Sequence, residues 1–232
     1  MLKWFALAAF LLLAVPLAMV MNWYGNNFHQ FTHRYKLSLE MTVDGVPKIG
    51  TTVVEIEWHD GPRIFSWSSN IRGQAAFIDI RPYGGIIAAL WAIQGAPGTR
   101  KVDGLAVIAW QKERGVQPPS LLDADNLREL AKATGEIELS SDDMPQLLWV
   151  PDLERPESTR PIRPDEFPST FDGNVQFKRA WNTFIDEPIS HGLENVLPAF
   201  AKLHEAQKGG FTVRAVEKFF LNTNAIFGVG NE

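Results

Sequence analysis

Histidines, adjacent carboxylates and one glycine-rich turn are the places where this cysteine-free sequence of 232 residues could carry chemistry. His29 and His33 stand four apart, the spacing that aligns two imidazoles on one helical face for zinc. No glutamate follows His29, and residues 28–36 run into a strand-like alternation, where positions four apart are about 13 Å from each other. The pair is therefore expected to be a solvated stretch. His59, next to Asp60 and a Gly-Pro pair, reads as a turn residue, and His191 and His204 have no second ligand nearby in sequence. Gly95, Gly98, Thr99, Arg100 and Lys101 follow an apolar run as a phosphate loop would. That motif needs a different glycine spacing and a helix opening directly after the lysine, so a plain turn is expected. The carboxylate pairs are Asp142-Asp143, Asp165-Glu166 and Asp186-Glu187. Acid/base catalysis uses carboxyls about 5–9 Å apart in unlike environments, whereas sequence neighbours of this kind usually serve turns and caps. Ser190-His191 lacks a nucleophile elbow and a triad order. No catalytic, cofactor-binding or metal-ligating set is assigned, and no cofactor is expected. An enzymatic site, such as that of a hydrolase, would have to assemble from carboxylates and histidines far apart in the chain.

The elements that must position any site begin with Trp4–Met21, eighteen residues without a charge. About 20 residues at 1.5 Å rise cross a hydrocarbon layer of roughly 30 Å. Trp23 and Tyr24 follow, rings that favour the headgroup layer. Lys3 supplies a basic start, but no Ala-x-Ala precedes Asn22 as a cleaved signal would require. Residues 1–24 are accordingly expected to form one hydrophobic helix anchoring the chain in a membrane, with a cleaved signal peptide as the alternative. Pro16 is tolerable in such a helix. Lys3 on one side and Arg34 and Lys36 on the other barely discriminate orientation. The usual behaviour of an N-terminal signal-like segment places the following domain on the exterior side. Absence of cysteine excludes disulfides, thiolate catalysis and Cys-ligated zinc.

Residues 25–232 are long enough for a single β-rich globular domain. A hydrophobic content of 45% argues against disorder, and a net charge of −5 disfavours nucleic acid as a partner. Tyr35, Leu37, Leu39, Met41 and Val43 alternate with polar residues, Asp44-Gly45 suits a hairpin turn, and Gly50–Trp58 reads as the return strand. Further strands are expected over Gly73–Ile80, Ile86–Ile93, Leu105–Trp110, Leu147–Val150 and Val175–Ile185, with a short extended piece at Ile137 and Leu139. Helices are expected from Asp123 or Asp125 to Gly135 and over Leu193–Lys208. Val175, Phe177, Trp181 and Ile185 should share a face. Pro151–Gly173, with five prolines, reads as an ordered loop anchored by Leu153, Ile162, Phe167 and Phe171. It either carries recognition or wraps and protects a sheet edge. Phe211–Leu221 fits strand or helix. The fold class is α+β, a mainly antiparallel sheet with a few helices.

Three stretches carry a likeness to known proteins: His33–Glu40 with Gly50–Ile56; Leu148–Thr159 with Pro164-Asp165, Phe171 and Gly173; and Ile185–Ile189 with Leu193–Pro198. Together they resemble a group of uncharacterised proteobacterial proteins with an N-terminal hydrophobic anchor. The chain departs from that pattern at Phe200, where the group has Trp-Leu after Leu-Pro. The resemblance implies a bacterial membrane-anchored domain and brings no activity, cofactor or site residue with it. The expectation is a single-pass protein of the bacterial inner membrane, its domain facing the periplasm. Its partners would be the membrane through the N-terminal helix and an envelope protein or lipid, in a binding or structural role without catalysis. A secreted carrier of a small apolar ligand is the alternative if the N-terminal segment is cleaved.

Overall fold

The computed structural model describes residues 30–60, 67–93, 103–115, 124–208, 214–216, 219–220 and 226. The expected anchor, His29 and the turn 94–101 lie outside the described residues, among which no helix is long and apolar enough to cross a membrane.

Strand β1 (Gln30–Val43) turns through Asp44 and Gly45, both at positive φ, into β2 (Val46–Asp60). The two strands pair without interruption from Gln30↔His59 to Val43↔Val46. β3 (Trp67–Arg72) continues the meander on the far side of β2. β9 (Val175–Phe184) pairs with the other side of β1, and β6 (Gly135–Glu138) pairs with β9. The first sheet is thus ordered β3-β2-β1-β9-β6. A second sheet, β4-β5-β7-β8, is built from Ala76–Asp79, Gly85–Ile93, Pro145–Val150 and Arg160–Ile162. A small pair, β10 (Arg214–Val216) with β11 (Phe219–Phe220), makes strand of the five described residues in the ambiguous stretch 211–221. Every pairing is antiparallel. With a few helices added, the class is α+β, as expected.

The alternation in β1 explains how the sheets meet. Tyr35, Leu37, Leu39, Met41 and Val43 are all buried in one core with Ile78, Ile80, Ile86, Ala88, Leu90 and Leu147 of the second sheet. The opposite face of the second sheet, with Ile87, Ala89, Leu148 and Val150, buries a second core against Leu193, Leu197 and Phe200. β5 is apolar nearly throughout because both of its faces are covered. At Gly50 the sheets approach closely: a Cβ there would lie 2.6 Å from the backbone oxygen of Phe77 and collide with the Ile78 side chain.

Several boundaries differ from expectation for identifiable reasons. Residues 103–113 form helix α1 (Asp103–Glu113), not the strand expected over 105–110. Leu105 to Trp110 are all buried, so the run is apolar on every side and its pattern carries neither period. Helix α2 (Ala124–Leu130) follows. The strand expected over 73–80 begins later: Gly73, φ +128°, ends the run of β3, and strand resumes only with β4 at Ala76. Pro151–Gly173 is ordered: β8 adds to the edge of β7, a short helix α3 (Phe167–Thr170) follows, and Ile162, Phe167 and Phe171 are buried anchors. The expected C-terminal helix is divided at Pro198 into α4 (Leu193–Val196) and α5 (Pro198–Lys208), since proline opens a helix but cannot continue one.

Candidate functional site

Two surfaces on the first sheet gather the polar side chains: its outer face, and the region where α1 lies over β6. On the outer face, alternation aims Arg34 and Lys36 of β1 away from the core, beside Glu55 and Glu57 of β2. Arg34 pairs with buried Glu55 at 2.6 Å and with Asp186 at 3.1 Å. Arg72 of β3 reaches Glu55 at 3.4 Å and Glu57 at 3.1 Å, and Lys36 meets Glu187 at 2.6 Å. Arg179 of β9 joins Glu40 at 3.0 Å to Glu136 at 3.2 Å and lies 4.2 Å over the Trp181 ring. Glu40 raises the already high Arg179 pKa by hydrogen bonding, so that cation is fixed. The result is a cross-strand lattice in which arginines bridge carboxylates. Exposed pairs of this sort contribute roughly 0.2–1 kcal/mol each, so their main effect is to order the face.

Trp181 is on this outer face, not with Val175 and Phe177. A bulge in β9 opposite Glu40 and Met41 leaves Lys178 without a partner across from β1, and parity reverses beyond it. Ala180, Asn182 and Phe184 therefore turn inward with Leu39, Leu37 and Tyr35.

Those residues singled out in sequence that the structure describes do not converge on one site. His33 is buried, stacked near Trp58, Tyr35 and Phe184, and its Nδ1 accepts a hydrogen bond from the Trp58 indole at 3.3 Å. Burial lowers its pKa to about 4, so the ring is neutral in the fold at physiological pH. It is a core residue and not a solvated one. His59 lies on β2, its Nε2 3.7 Å from Glu57 and 3.4 Å from the Asn70 amide. Asp143 is buried against Lys112 and accepts from Ser140, while Asp142 is exposed. Asp165 pairs with Arg163 at 3.1 Å, and Glu166 accepts the Arg163 backbone N–H. Asp186 and Glu187 belong to the outer-face lattice. Ser190 is a clip: its hydroxyl accepts the Val53 N–H at 2.8 Å, and its own N–H donates to the Val53 carbonyl. Among the described residues no group of three or more His, Asp or Glu side chains could hold a metal ion.

Where α1 crosses the first sheet, two clefts open on either side of Ile137. One, of about 300 Å³, is bounded by Ala109 and Glu113 of α1 and by the consecutive residues Glu136–Leu139. The other, of about 390 Å³, lies between Trp110, Arg114, Glu129 and Thr134. The first is acidic, with Glu113, Glu136, Glu138 and Asp143 against Lys112 alone. Ile137 and Leu139 read in sequence as a short extended piece, but their place beside a helix does not, because that helix is itself illegible as one. The alternation Glu-Ile-Glu-Leu after Gly135 is the one local signal of a half-covered strand at this point. Comparison with protein-family models, curated proteins and solved structures finds no match for the chain.

Proposed function

We propose that this chain is a single-pass protein of the bacterial inner membrane, anchored by a hydrophobic helix within residues 1–24. Its domain, residues 25–232, faces the periplasm and acts there as a non-enzymatic binding or structural module. In this reading it is kin to the proteobacterial anchored group that its sequence resembles. The observation that carries the proposal is the uncharged run Trp4–Met21 followed at once by Trp23 and Tyr24. Transfer of that many apolar side chains into lipid outweighs any cost that Pro16 adds. Two features support a binding role over catalysis. Arg34, Arg72, Arg179, Glu40, Glu55 and Glu57 of the first sheet are committed to cross-strand pairs, and among the described residues the histidine displaced far from its ordinary pKa is packed among aromatic rings. An enzyme of the hydrolase kind would instead place a group of strongly displaced pKa in a cleft.

Membrane fractionation tests the anchor. The full chain is expected in the membrane pellet after alkaline wash, and deletion of residues 1–24 should move it to the soluble fraction. A tag after Glu232 should be digested by protease added to spheroplasts. Mature protein beginning near Asn22 and recovered in wash buffer would overturn the anchored reading in favour of a secreted carrier.

A further inference from the structure

β6 closes one side of the first sheet, and among the described residues nothing pairs with its outer edge. Which backbone groups it presents follows from the register. Leu139 N–H donates to the Ala180 carbonyl at 2.8 Å, and Ile137 stands opposite Asn182 two positions earlier. In an antiparallel ladder the hydrogen-bonded positions alternate, so Ile137 and Leu139 bond inward to β9 while Glu136 and Glu138 turn both N–H and C=O outward. That edge is the wall of the 300 Å³ cleft, whose opposite side is α1. A strand edge facing a helix across an open cleft is the arrangement into which an extended peptide adds as one more strand.

The flanking side chains specify the peptide. On the outer face of the sheet, beside the added strand, stand exposed Glu138 and also Glu136, which is paired with Arg179 at 3.2 Å. On the inner side the cleft floor is apolar, formed by Ala109, Ile137 and Leu139. Since side chains of an added strand alternate between these two sides, one set meets carboxylates and the other meets hydrocarbon.

Resting on the reading of this domain as a binding module, we propose that β6 receives an extended segment of a partner protein in which basic residues alternate with small aliphatic ones. Backbone pairing with Glu136 and Glu138 supplies the register, and the Glu138 carboxylate selects the charge.

The test uses the full-length protein in detergent micelles and a fluorescent, end-capped heptapeptide of alternating lysine and valine. A peptide with glutamate in place of lysine serves as the control. Glu138→Pro removes an N–H that points outward, so the inward ladder to β9 is retained, as proline on an edge strand allows. Loss of that hydrogen bond is expected to weaken binding about tenfold. Glu138→Lys, which leaves the backbone intact, should also weaken the lysine peptide and favour the glutamate one. Bound peptide should slow amide exchange at Glu136 and Glu138. No binding of the lysine peptide, or binding equally strong with Glu138→Pro, would overturn the proposal; so would equal weakening by Glu138→Pro and by Glu138→Gln, which keeps the N–H and removes only the charge. Loss of membrane association with peptide binding intact would sink only the anchor.

Discussion

Buried His33 couples this fold to pH. Its imidazole sits among Trp58, Tyr35 and Phe184, and desolvation holds its pKa at about 4, below the ordinary 6.5. The folded state therefore resists a proton that the unfolded chain accepts once pH drops below about 6.5. Stability from this residue is complete above that pH and is lost as pH falls towards about 4, by roughly 3 kcal/mol at most. His33→Phe removes the titration while keeping a ring in the stack. It leaves the Trp58 N–H without its acceptor, which costs about 1 kcal/mol at every pH. Urea denaturation of both proteins from neutrality to about pH 4.5 is expected to show a flatter stability profile in the variant. Equal slopes would show that the acid sensitivity lies elsewhere. In sequence the spacing of His29 and His33 draws attention to metal chemistry. What His33 does instead depends on Trp58, 25 positions away, and on Phe184, which no local pattern could bring to it.

At the level of strands and helices, legibility follows the range of the determining contact. The β1–β2 hairpin is legible because its alternation and its Asp-Gly turn are both local. Helix α1 is not, because burial on all sides erases the period that separates helix from strand. Trp181 reads onto the wrong face because one unpaired residue, Lys178, reverses the alternation, and nothing in its neighbourhood announces a bulge. The candidate site suffers from both effects: the β6 edge matters only because α1 is a helix and β9 lies between β1 and β6. Gly50 shows the same dependence on distant chain. It looks like an ordinary strand residue, yet β4 passes so closely that a Cβ would meet the Phe77 carbonyl at 2.6 Å. Gly50→Ala should destabilise the domain by about 1–3 kcal/mol, because the clash is with backbone as well as with a side chain. Chemical denaturation measures this directly. An unchanged midpoint would mean that the sheets can separate at no cost.

Seen whole, the described part of the molecule is layered, with the first sheet, the second sheet and the helices α4 and α5 in succession and an apolar core at each junction. β5 belongs to both cores, with Ile86, Ala88 and Leu90 on one side and Ile87 and Ala89 on the other. Such sharing makes separate unfolding of the layers unfavourable, since stripping the helices exposes a face of the sheet whose other face completes the main core. Phe200 of α5, fully buried, is the largest side chain contributed by the helical layer to its core. Phe200→Ala should cost about 3–5 kcal/mol, a large fraction of the stability of an ordinary domain. If residues 25–232 form one cooperative unit, that loss lowers the unfolding midpoint monitored by tryptophan fluorescence, to which Trp58 and Trp110 of the main core contribute, as much as the midpoint of the helical signal. Circular dichroism and fluorescence recorded on the same denaturant series provide both readings. Coincident curves at a lower midpoint are expected. Early loss of helix with an unmoved fluorescence transition would instead make the C-terminal layer a separable appendage, and the two cores independent.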